Sequence, residues 1–401
     1  MSSLPTIFVS LAAYRDALLS TTVINAQQRA KHPERIVFGI FDQSFHKETF
    51  YLEDMFFKDQ IRYMRIDPEY SRGACWARSI AQSLLQDEDY FLQVDSHSLF
   101  DQDWDETLIS TLNELQQYHP KPVISVYPHS FTEDKDEDNK FYKGRNEGTC
   151  VSLVNADETY FKDDHQYILA RAVHRNEIPS PCHGFLISAG FLFGPRSMVQ
   201  DVPYDPHMYF QGEEPSLALR LFTHGYTIFY VNNCPIYHLY DRKDKVRIWD
   251  DRFLEKHRPI KWHQLDKRAR ERFFKLTNNT PLGCYGLGTT RSLQDYADFC
   301  HIDYTNKKLG PRATTGDNII DIPYTACPLP ERIQHETLRP DPTRDVRETL
   351  PPDEGRPPDT NAGNHPLGEY LPIPSPQTRR PRRRNPTPTH TTNQSTESHT
   401  L

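Results

Sequence analysis

The stretch YFLQVDSHSLF, residues 90–100, begins as an apolar strand and ends in a polar triplet, Asp95-Ser96-His97. Residues two apart on an extended chain point to the same side, so Asp95 and His97 can face one small object. A divalent metal ion is the obvious candidate for such a carboxylate and imidazole pair. The alternative is that Asp95 shapes a turn and His97 is a solvated loop residue, because short loops are rich in Asp and Ser.

Strand and helix patterns alternate around this stretch through the first third of the chain. Apolar runs predict strands, and apolar residues at i, i+3 and i+4 spacing predict helices. The predicted strands are TIFVSLA (6–12), RIVFGIF (35–41), IRYMRID (61–67), YFLQV (90–94) and PVISVY (122–127). Three helices are predicted: one that Asp16 caps, one that spans 74–86 and one that begins near Trp104. This alternation predicts an α/β fold with a mostly parallel, helix-covered sheet. Ligands of such sheets bind beyond the carboxyl ends of the strands, where the DSH triplet lies.

The rest of the chain is predicted to be less regular. No pattern is visible from about 129 to 180, residues 184–195 and 225–241 are strand-like, the former as a strand pair, and residues 245–308 are helical. After Gly310 the chain has more than half of its 32 prolines and no lysine. We therefore predict a folded domain over 1–310 and a disordered tail over 311–401, which cannot bury enough apolar surface to offset its chain entropy.

Composition argues against a general affinity for nucleic acid. The 401 residues carry a net charge of -8. The arginine cluster RRPRRR in the tail is interpreted as solvated charge, and the alternatives are contact with an anionic surface or a targeting signal. The seven cysteines form no CxxC pair, which favours reduced thiols and a cytoplasmic location. We expect no signal peptide and no membrane span, because no apolar segment is long enough.

Several segments, in one order from residue 5 to 305, together resemble a family of glycosyltransferases that includes the polypeptide α-N-acetylglucosaminyltransferases. They are IFVSLAAYRD at the start, RGACWARSIAQ (72–82), YFLQVDSHSLFDQDWDE (90–106), AGFLFG, VPYDPHMYFQGEE (202–214), THGYTIFYVNNCPIYHLYDR (223–242) and YGLGTTRSLQDY (285–296). The resemblance implies a GT-A fold, which is a Rossmann-like nucleotide-diphospho-sugar transferase fold. It also implies a UDP-sugar donor, a divalent metal such as Mn²⁺ or Mg²⁺, and retention of the anomeric configuration.

The resemblance assigns Asp95 and His97 to an Asp-X-His metal motif and His238, in YHLYDR, to the third ligand. The alternative for His238 is a buried strand histidine. A metal that bridges two phosphates neutralises the charge of a UDP leaving group. Carboxylate and imidazole ligands suit Mn²⁺ better than Ca²⁺. A single coordination sphere requires the three side chains to converge.

The same resemblance implies that the nucleotide lies along the first strand–helix turn and the loop at 72–78. The residues assigned to the nucleotide are Tyr14, Arg15, Arg72, Gly73, Arg78, Ser96 and Arg242. Gly73 permits close backbone approach, the helix N-terminus favours anions, and the arginines supply charge-assisted hydrogen bonds. Arg72 and Arg78 are alternatively surface salt-bridge partners.

Glu213 and Glu214, in FQGEEPSLALR, are the candidate catalytic residues. Because they are adjacent, we expect only one of them to face the site, and Glu213 is preferred. Their alternative role is negative charge at the N-terminus of a helix that begins at Pro215. A retaining enzyme uses double displacement through a carboxylate or a front-face substitution, and the family type favours the front-face route with Glu213 as an electrostatic partner.

The leading functional hypothesis is metal-dependent, retaining transfer of GlcNAc from UDP-GlcNAc to a Ser, Thr or hydroxyproline hydroxyl of a protein. A second hypothesis keeps the fold but uses another UDP-hexose or a glycan acceptor. A third is a non-catalytic binding module whose Pro-rich tail binds a partner through polyproline segments. The intact DSH and YHLYDR segments favour an enzyme.

Overall fold

The computed structural model describes residues 4–317 and 319, apart from residues 49, 135, 138, 160, 162–166, 243, 244 and 250. The strands are β1 (Ile7–Tyr14), β2 (Ile36–Gln43), β3 (Ile61–Ile66), β4 (Tyr90–Asp95), β5 (Ser98–Phe100), β6 (Pro122–Ile124), β7 (His129–Glu133), β8 (Phe141–Lys143), β9 (Thr149–Val154), β10 (Ala170–Arg175), β11 (Cys182–Gly184), β12 (Phe191–Pro195), β13 (Thr227–Tyr230), β14 (Ile236–His238), β15 (Ile302–Asp303) and β16 (Lys308–Leu309). The helices are α1 (Leu19–Arg29), α2 (Ala74–Gln82), α3 (Trp104–Gln116), α4 (Arg196–Asp201), α5 (Glu213–Thr223), α6 (Arg252–Glu255), α7 (Trp262–Thr277), α8 (Leu293–Cys300) and α9 (Pro311–Thr314).

An eight-stranded sheet forms the centre of the protein, in the order β11-β13-β6-β12-β4-β1-β2-β3. The pairs β1–β2, β1–β4, β2–β3 and β6–β13 are parallel. Strand β12 runs antiparallel between β4 and β6, and β11 is antiparallel to β13 at one edge. The predicted α/β class is confirmed. The parallel half of the sheet, in the order β4-β1-β2-β3, is Rossmann-like and is the arrangement expected of a GT-A fold.

The central strands form because their side chains are apolar on both faces, as buried parallel strands require. Phe8 of β1 stacks on Phe91 of β4 with ring centroids 6.1 Å apart. Ala77 and Ala81 of α2 are fully buried and pack with Phe41 of β2. The parallel registers place Tyr14 opposite Gln43 and Ala12 opposite Asp95, so the carboxyl ends of β1, β2 and β4 lie together at one edge of the sheet.

A second sheet has four strands in the order β5-β14-β7-β8. Its strand β5 begins at Ser98, three residues after β4 ends at this edge. Strand β14 pairs antiparallel with β5, so that His238 is opposite Ser98. The backbone N–H of Leu239 also donates to the carbonyl of His97 at 3.2 Å. Pairing across about 140 residues thus brings the YHLYDR segment beside the DSH triplet.

Several predictions of local structure are wrong. Residues 129–180 contain four strands, β7 to β10, whose short lengths hide their pattern. Strands β11 and β12 do not pair with each other, because each completes a different part of the central sheet. The helical prediction for 245–308 holds for α6, α7 and α8, but the region ends in the β15–β16 hairpin.

Two predicted helix starts also differ from the structure. Helix α1 begins at Leu19 with Leu18 at its N-cap, so Asp16 lies two residues before the N-cap position, although its carboxylate accepts the backbone N–H of Leu18. Helix α5 begins at Glu213 rather than at Pro215.

The described chain continues beyond the predicted domain boundary at residue 310. Helix α9 follows it, and Ala313 and Ile319 are buried in the main apolar core. The rest of the predicted tail, from residue 320, lies outside the described residues, and its disorder stays a prediction. Within the described ranges, no helix has the length and apolar character needed to cross a bilayer.

Candidate active site

A cleft of about 270 Å³ opens where β4 ends. Asp95, the last residue of β4, is paired with Ala12 of β1 and so lies at the carboxyl edge of the central sheet. Polar residues lining the cleft include Arg78, Asp95, Tyr127, Glu213, Glu214 and His238. The cleft therefore lies at the edge where ligands of such sheets bind.

Asp95, His97 and His238 form a compact cluster at this cleft. One potential ligand atom from each side chain lies within 4.8 Å of the other two. His238 Nε2 is 3.0 Å from Asp95 Oδ2, and the two imidazole ring centroids are 4.7 Å apart. The predicted convergence of these three side chains is found, whereas their role as ligands stays a prediction.

The protonation states of the cluster suit a metal ion. Burial lowers the pKa of His97 despite its hydrogen bond to Asp16, so the imidazole is neutral at neutral pH. Burial acts to raise the pKa of Asp95, but the Arg78 guanidinium and His238 hold it well below its usual range. A neutral imidazole and an ionised carboxylate are the forms that bind metals.

A glycine leaves the space beside the cluster free of a side chain. Gly190 flanks it, and a Cβ atom built there would lie 3.3 Å from Asp95 Oδ2 and 3.6 Å from the His238 ring. A larger residue would therefore intrude beside two of the three donors. One carboxylate and two imidazoles form a donor set that suits Mn²⁺.

Asp16 is a site residue that the sequence analysis missed. Its Oδ2 atom is 2.7 Å from His97 Nδ1 and accepts hydrogen bonds from Ser96 Oγ at 2.7 Å and from Arg242 Nη2 at 3.2 Å. The available signal was an acid directly after β1, because the ends of β1 and its parallel neighbour β4 must lie close together. The capping interpretation concealed that signal.

Ser96 and Arg242, both predicted to bind the nucleotide, contact this acid. Arg242 Nη1 is also 3.3 Å from His97 Nε2, so its guanidinium lies at the edge of the metal cluster. Ser96 is buried, and its carbonyl accepts a hydrogen bond from Thr22 Oγ1. Ser96 thus faces the protein interior, whereas the Arg242 guanidinium contacts both Asp16 and His97.

Arg78 is held between two carboxylates. Its Nη2 atom donates to Asp95 Oδ1 at 2.5 Å, and its Nη1 atom donates to Glu213. The side chain is buried, so the alternative of a surface salt bridge is wrong. A guanidinium shared between two acids in this way mainly neutralises and orients them.

Glu213 and Glu214 both line the cleft, and the expectation that only one of them faces it is wrong. They occupy the first turn of α5, whose N-terminus itself borders the cleft, so side chains that diverge around the helix both reach it. Glu213 also accepts a hydrogen bond from the Tyr204 hydroxyl at 2.7 Å. Glu214 accepts from the Tyr127 hydroxyl and from the backbone N–H of Ala189, each at 2.8 Å.

The two adjacent carboxylates differ in their electrostatic surroundings. Glu213 is paired with Arg78, whereas the described partners of Glu214 are neutral groups. Burial raises the pKa of Glu214 to about 7, and its two hydrogen bonds offset only part of that effect. Glu214 therefore changes charge near neutral pH.

Tyr14 and Arg15, at the end of β1, contact a later segment of the chain. The Tyr14 hydroxyl donates to Asp251 Oδ2 at 3.0 Å and accepts from Arg258 Nη2 at 2.5 Å. Arg15 also donates to Asp251, at 3.0 Å, and pairs with Glu48. The segment that carries α6 thus packs over the place predicted for the nucleoside.

Arg72 and Gly73 precede α2 and do not line the cleft. Arg72 is exposed, with its guanidinium 5.7 Å from the centre of the Trp76 ring. Gly73 has φ +105°, and a Cβ atom there would lie 2.5 Å from Tyr209. Gly73 is needed for a close backbone contact, but that contact is with the protein itself.

Comparisons with known proteins identify one matching family. The sequence model of the family described as Glycosyltransferase (GlcNAc) matches residues 6–53 and 48–306. Among solved structures, GalNAc-T7 with UDP, GalNAc and Mn²⁺ is similar with 14% identity and a TM-score of 0.47, over 74% of this chain and 55% of that one. S. aureus TarS 1-349 in complex with UDP-GlcNAc is similar with 9% identity and a TM-score of 0.38, over 69% of this chain and 76% of that one. No curated protein sequence matches the chain.

Proposed function

Because this chain belongs to the glycosyltransferase (GlcNAc) family, we propose that it transfers GlcNAc from UDP-GlcNAc to a hydroxyl group in the presence of a divalent metal ion. The single observation that carries the proposal is the cluster of Asp95, His97 and His238 beside the cleft. An acceptor hydroxyl of Ser, Thr or hydroxyproline in a protein is the expected substrate.

The cluster supports Mn²⁺, or Mg²⁺, as the ion. When bound, it would supply Lewis-acid stabilisation of the charge that develops on the leaving diphosphate. Asp95, His97 and His238 would hold it, since their potential ligand atoms lie within 4.8 Å of one another. Arg242, at the edge of the cluster, is placed to add a charge-assisted hydrogen bond to the same diphosphate.

Glu213 and Glu214 are proposed to have different roles in the transfer step. In a front-face substitution, the bond from the anomeric carbon to the diphosphate breaks with its electron pair on the diphosphate. The acceptor oxygen bonds to that carbon from the same face, and its proton passes to the leaving phosphate oxygen. Glu213, ion-paired with Arg78, is an electrostatic partner rather than a free nucleophile. Glu214 is placed to accept a hydrogen bond from a sugar or acceptor hydroxyl.

The nucleoside is proposed to bind near Tyr14 and Arg15, at the end of β1. Both side chains contact Asp251. For the nucleoside to bind here, the segment around α6 must move, or Tyr14 and Arg15 must contact Asp251 and the nucleoside together. Arg72, exposed at the start of α2, stays a proposed nucleotide-binding residue because its charge would favour an anion.

The location and partners of the protein remain proposals. Six cysteines in the described ranges carry free thiols, which supports a reducing compartment such as the cytoplasm. Binding of a partner to the proline-rich tail is a prediction about residues that lie mostly outside the described ranges.

A donor screen tests the proposed function. The purified chain, incubated with UDP-GlcNAc, UDP-GalNAc, UDP-Gal or UDP-Glc and Mn²⁺, should release UDP fastest from UDP-GlcNAc, and a chelator should stop it. His238→Ala should lower UDP release at least about a hundredfold, because a lost ligand removes several kcal/mol of charge stabilisation. His263→Ala, at an exposed position on α7, is the matched control and should behave like the unaltered chain.

Other outcomes identify the alternatives. Faster release from another donor would support the same fold with a different UDP-hexose. Turnover that survives chelation would contradict the metal site. Absence of both UDP release and Mn²⁺-dependent UDP binding would favour a non-catalytic binding module.

A further inference from the structure

Asp16 joins three parts of the chain at one carboxylate. It lies in the turn between β1 and α1, and its side chain is only 4% exposed. Its Oδ2 atom contacts the DSH triplet through Ser96 and His97 and contacts the segment after β14 through Arg242. Its Oδ1 atom accepts the backbone N–H of Leu18 at 3.0 Å. Four groups therefore fix the orientation of this carboxylate.

The hydrogen bond to His97 determines which ring nitrogen carries the proton. A carboxylate accepts hydrogen bonds, so the contact of 2.7 Å places the hydrogen on His97 Nδ1. The Nε2 atom then presents a lone pair, and the Arg242 Nη1 atom 3.3 Å away can donate to it. The contacts with Asp16 and with Arg242 therefore both favour the tautomer that carries its hydrogen on Nδ1.

We propose that Asp16 is a positioning residue that holds His97 in the tautomer and orientation needed for metal binding through Nε2. The proposal rests on the metal site of the proposed function. Metal-bound histidines commonly donate their second N–H to a carboxylate, which orients the ring and makes it a better ligand.

The second histidine of the cluster is not held in this way. His238 Nδ1 is buried and has no hydrogen-bond partner among the described residues. Its ring is instead placed by the β14–β5 pairing and by the contact of its Nε2 atom with Asp95. Asp16 therefore gives His97 the Nδ1 hydrogen bond that His238 lacks among the described residues.

The experiment combines histidine NMR with direct metal titration. In a sample labelled with ¹⁵N-histidine, long-range ¹H–¹⁵N correlations report the tautomer of His97 without metal or substrate, and His97→Ala identifies its signals. Mn²⁺ affinity is measured separately from the EPR signal of free Mn²⁺. Both measurements use the full chain, with Asp16→Ala and the isosteric Asp16→Asn as variants.

The matched control is Asp105→Ala. Asp105 is also a fully buried carboxylate, paired with Arg35 at 2.7 Å, and it accepts the backbone N–H of Lys31. It lies in α3 and has no described contact with the metal cluster. Its loss disturbs a similar buried network without touching His97.

The expected result is a single Nδ1–H tautomer in the unaltered chain and a mixture of tautomers in Asp16→Ala. The dissociation constant for Mn²⁺ should rise about 10- to 100-fold in Asp16→Ala, and also rise in Asp16→Asn, with no such change in Asp105→Ala. An unaltered chain with His97 protonated on Nε2 would overturn the proposal. So would an Asp16→Ala protein that keeps the tautomer and the Mn²⁺ affinity, or an equal loss of affinity in Asp105→Ala. If the unaltered chain itself fails to bind Mn²⁺, the metal site of the proposed function is refuted directly.

Discussion

Two adjacent glutamates show how far single residues of one type can differ. Glu213 shares Arg78 with Asp95, so its negative charge is compensated inside the protein. Glu214, one residue later, contacts a tyrosine hydroxyl and a backbone amide, and neither carries a charge. Burial without a cation disfavours the ionised form, which explains why the pKa of Glu214 is raised to about 7.

This shift predicts a pH dependence of stability. Below about pH 4.5, the usual value, the Glu214 carboxyl is protonated in both folded and unfolded chains. Between pH 4.5 and 7 the unfolded chain loses that proton while the folded chain keeps it, so the free energy of unfolding falls as pH rises. The loss should reach about 3 kcal/mol at most.

Urea unfolding at a series of pH values measures the effect. Glu214→Gln should lack the decrease that the unaltered chain shows between pH 4.5 and 7, because its side chain does not titrate. Glu177→Gln, at an exposed position, should follow the unaltered chain. Parallel curves for the unaltered chain and Glu214→Gln would show that the carboxyl ionises normally.

At the scale of elements, the start of α2 depends on a backbone conformation that residues other than glycine rarely adopt. Gly73, the N-cap of that helix, has φ +105° and ψ 172°, and its Cα lies against Tyr209. This contact joins α2, which carries Arg78, to the loop that leads into α5, which carries Glu213. The ion pair between these two side chains therefore depends on how closely the two backbones approach.

Gly73→Ala should destabilise the protein by at least about 2 kcal/mol, because it adds backbone strain and a clash of the new Cβ atom with Tyr209. Gly283→Ala is the matched control, since Gly283 has φ +61° but no atom within 4 Å of the added Cβ atom. It should cost only the strain, about 1–2 kcal/mol. Chemical unfolding of both variants gives the comparison. Equal losses would mean that the approach to Tyr209 is not tightly packed.

At the scale of the whole molecule, late segments complete a domain begun by early ones. Asp251 and Arg258 contact Tyr14 at the end of the first strand. The carbonyls of Thr314 and Thr315 accept hydrogen bonds from arginines of β10, and Ile319 is buried in the main core. The folded unit thus includes residues after the composition changes at Gly310.

Two truncations test where the domain ends. The tail from residue 320 is predicted from its composition to be disordered, so a chain that stops after Ile319 should keep its unfolding free energy within about 0.5 kcal/mol. A chain that stops after Gly310 loses the buried Ala313 and Ile319 and should be less stable by about 2 kcal/mol or more. Equal stability of the two chains, measured by urea unfolding, would place the boundary at residue 310.

The sequence by itself determined the central α/β architecture and the position of the DSH triplet. Apolar runs such as IFVSLAAY and the helical spacing in α1 and α2 are local patterns, and they are read directly from neighbouring residues. The order of the strands then requires the carboxylate and imidazole of DSH to lie at the ligand-binding edge.

Only the tertiary structure decided what surrounds those groups. Asp16 meets Arg242 across 226 residues, and Arg78 meets Glu213 across 135. Such pairs cannot be predicted from neighbouring residues in the sequence, because the packing of the whole sheet determines which distant side chains meet. For the same reason, the sequence could name Glu213 and Glu214 as candidates but could not show that one carboxylate is neutralised by a cation and the other only by a proton.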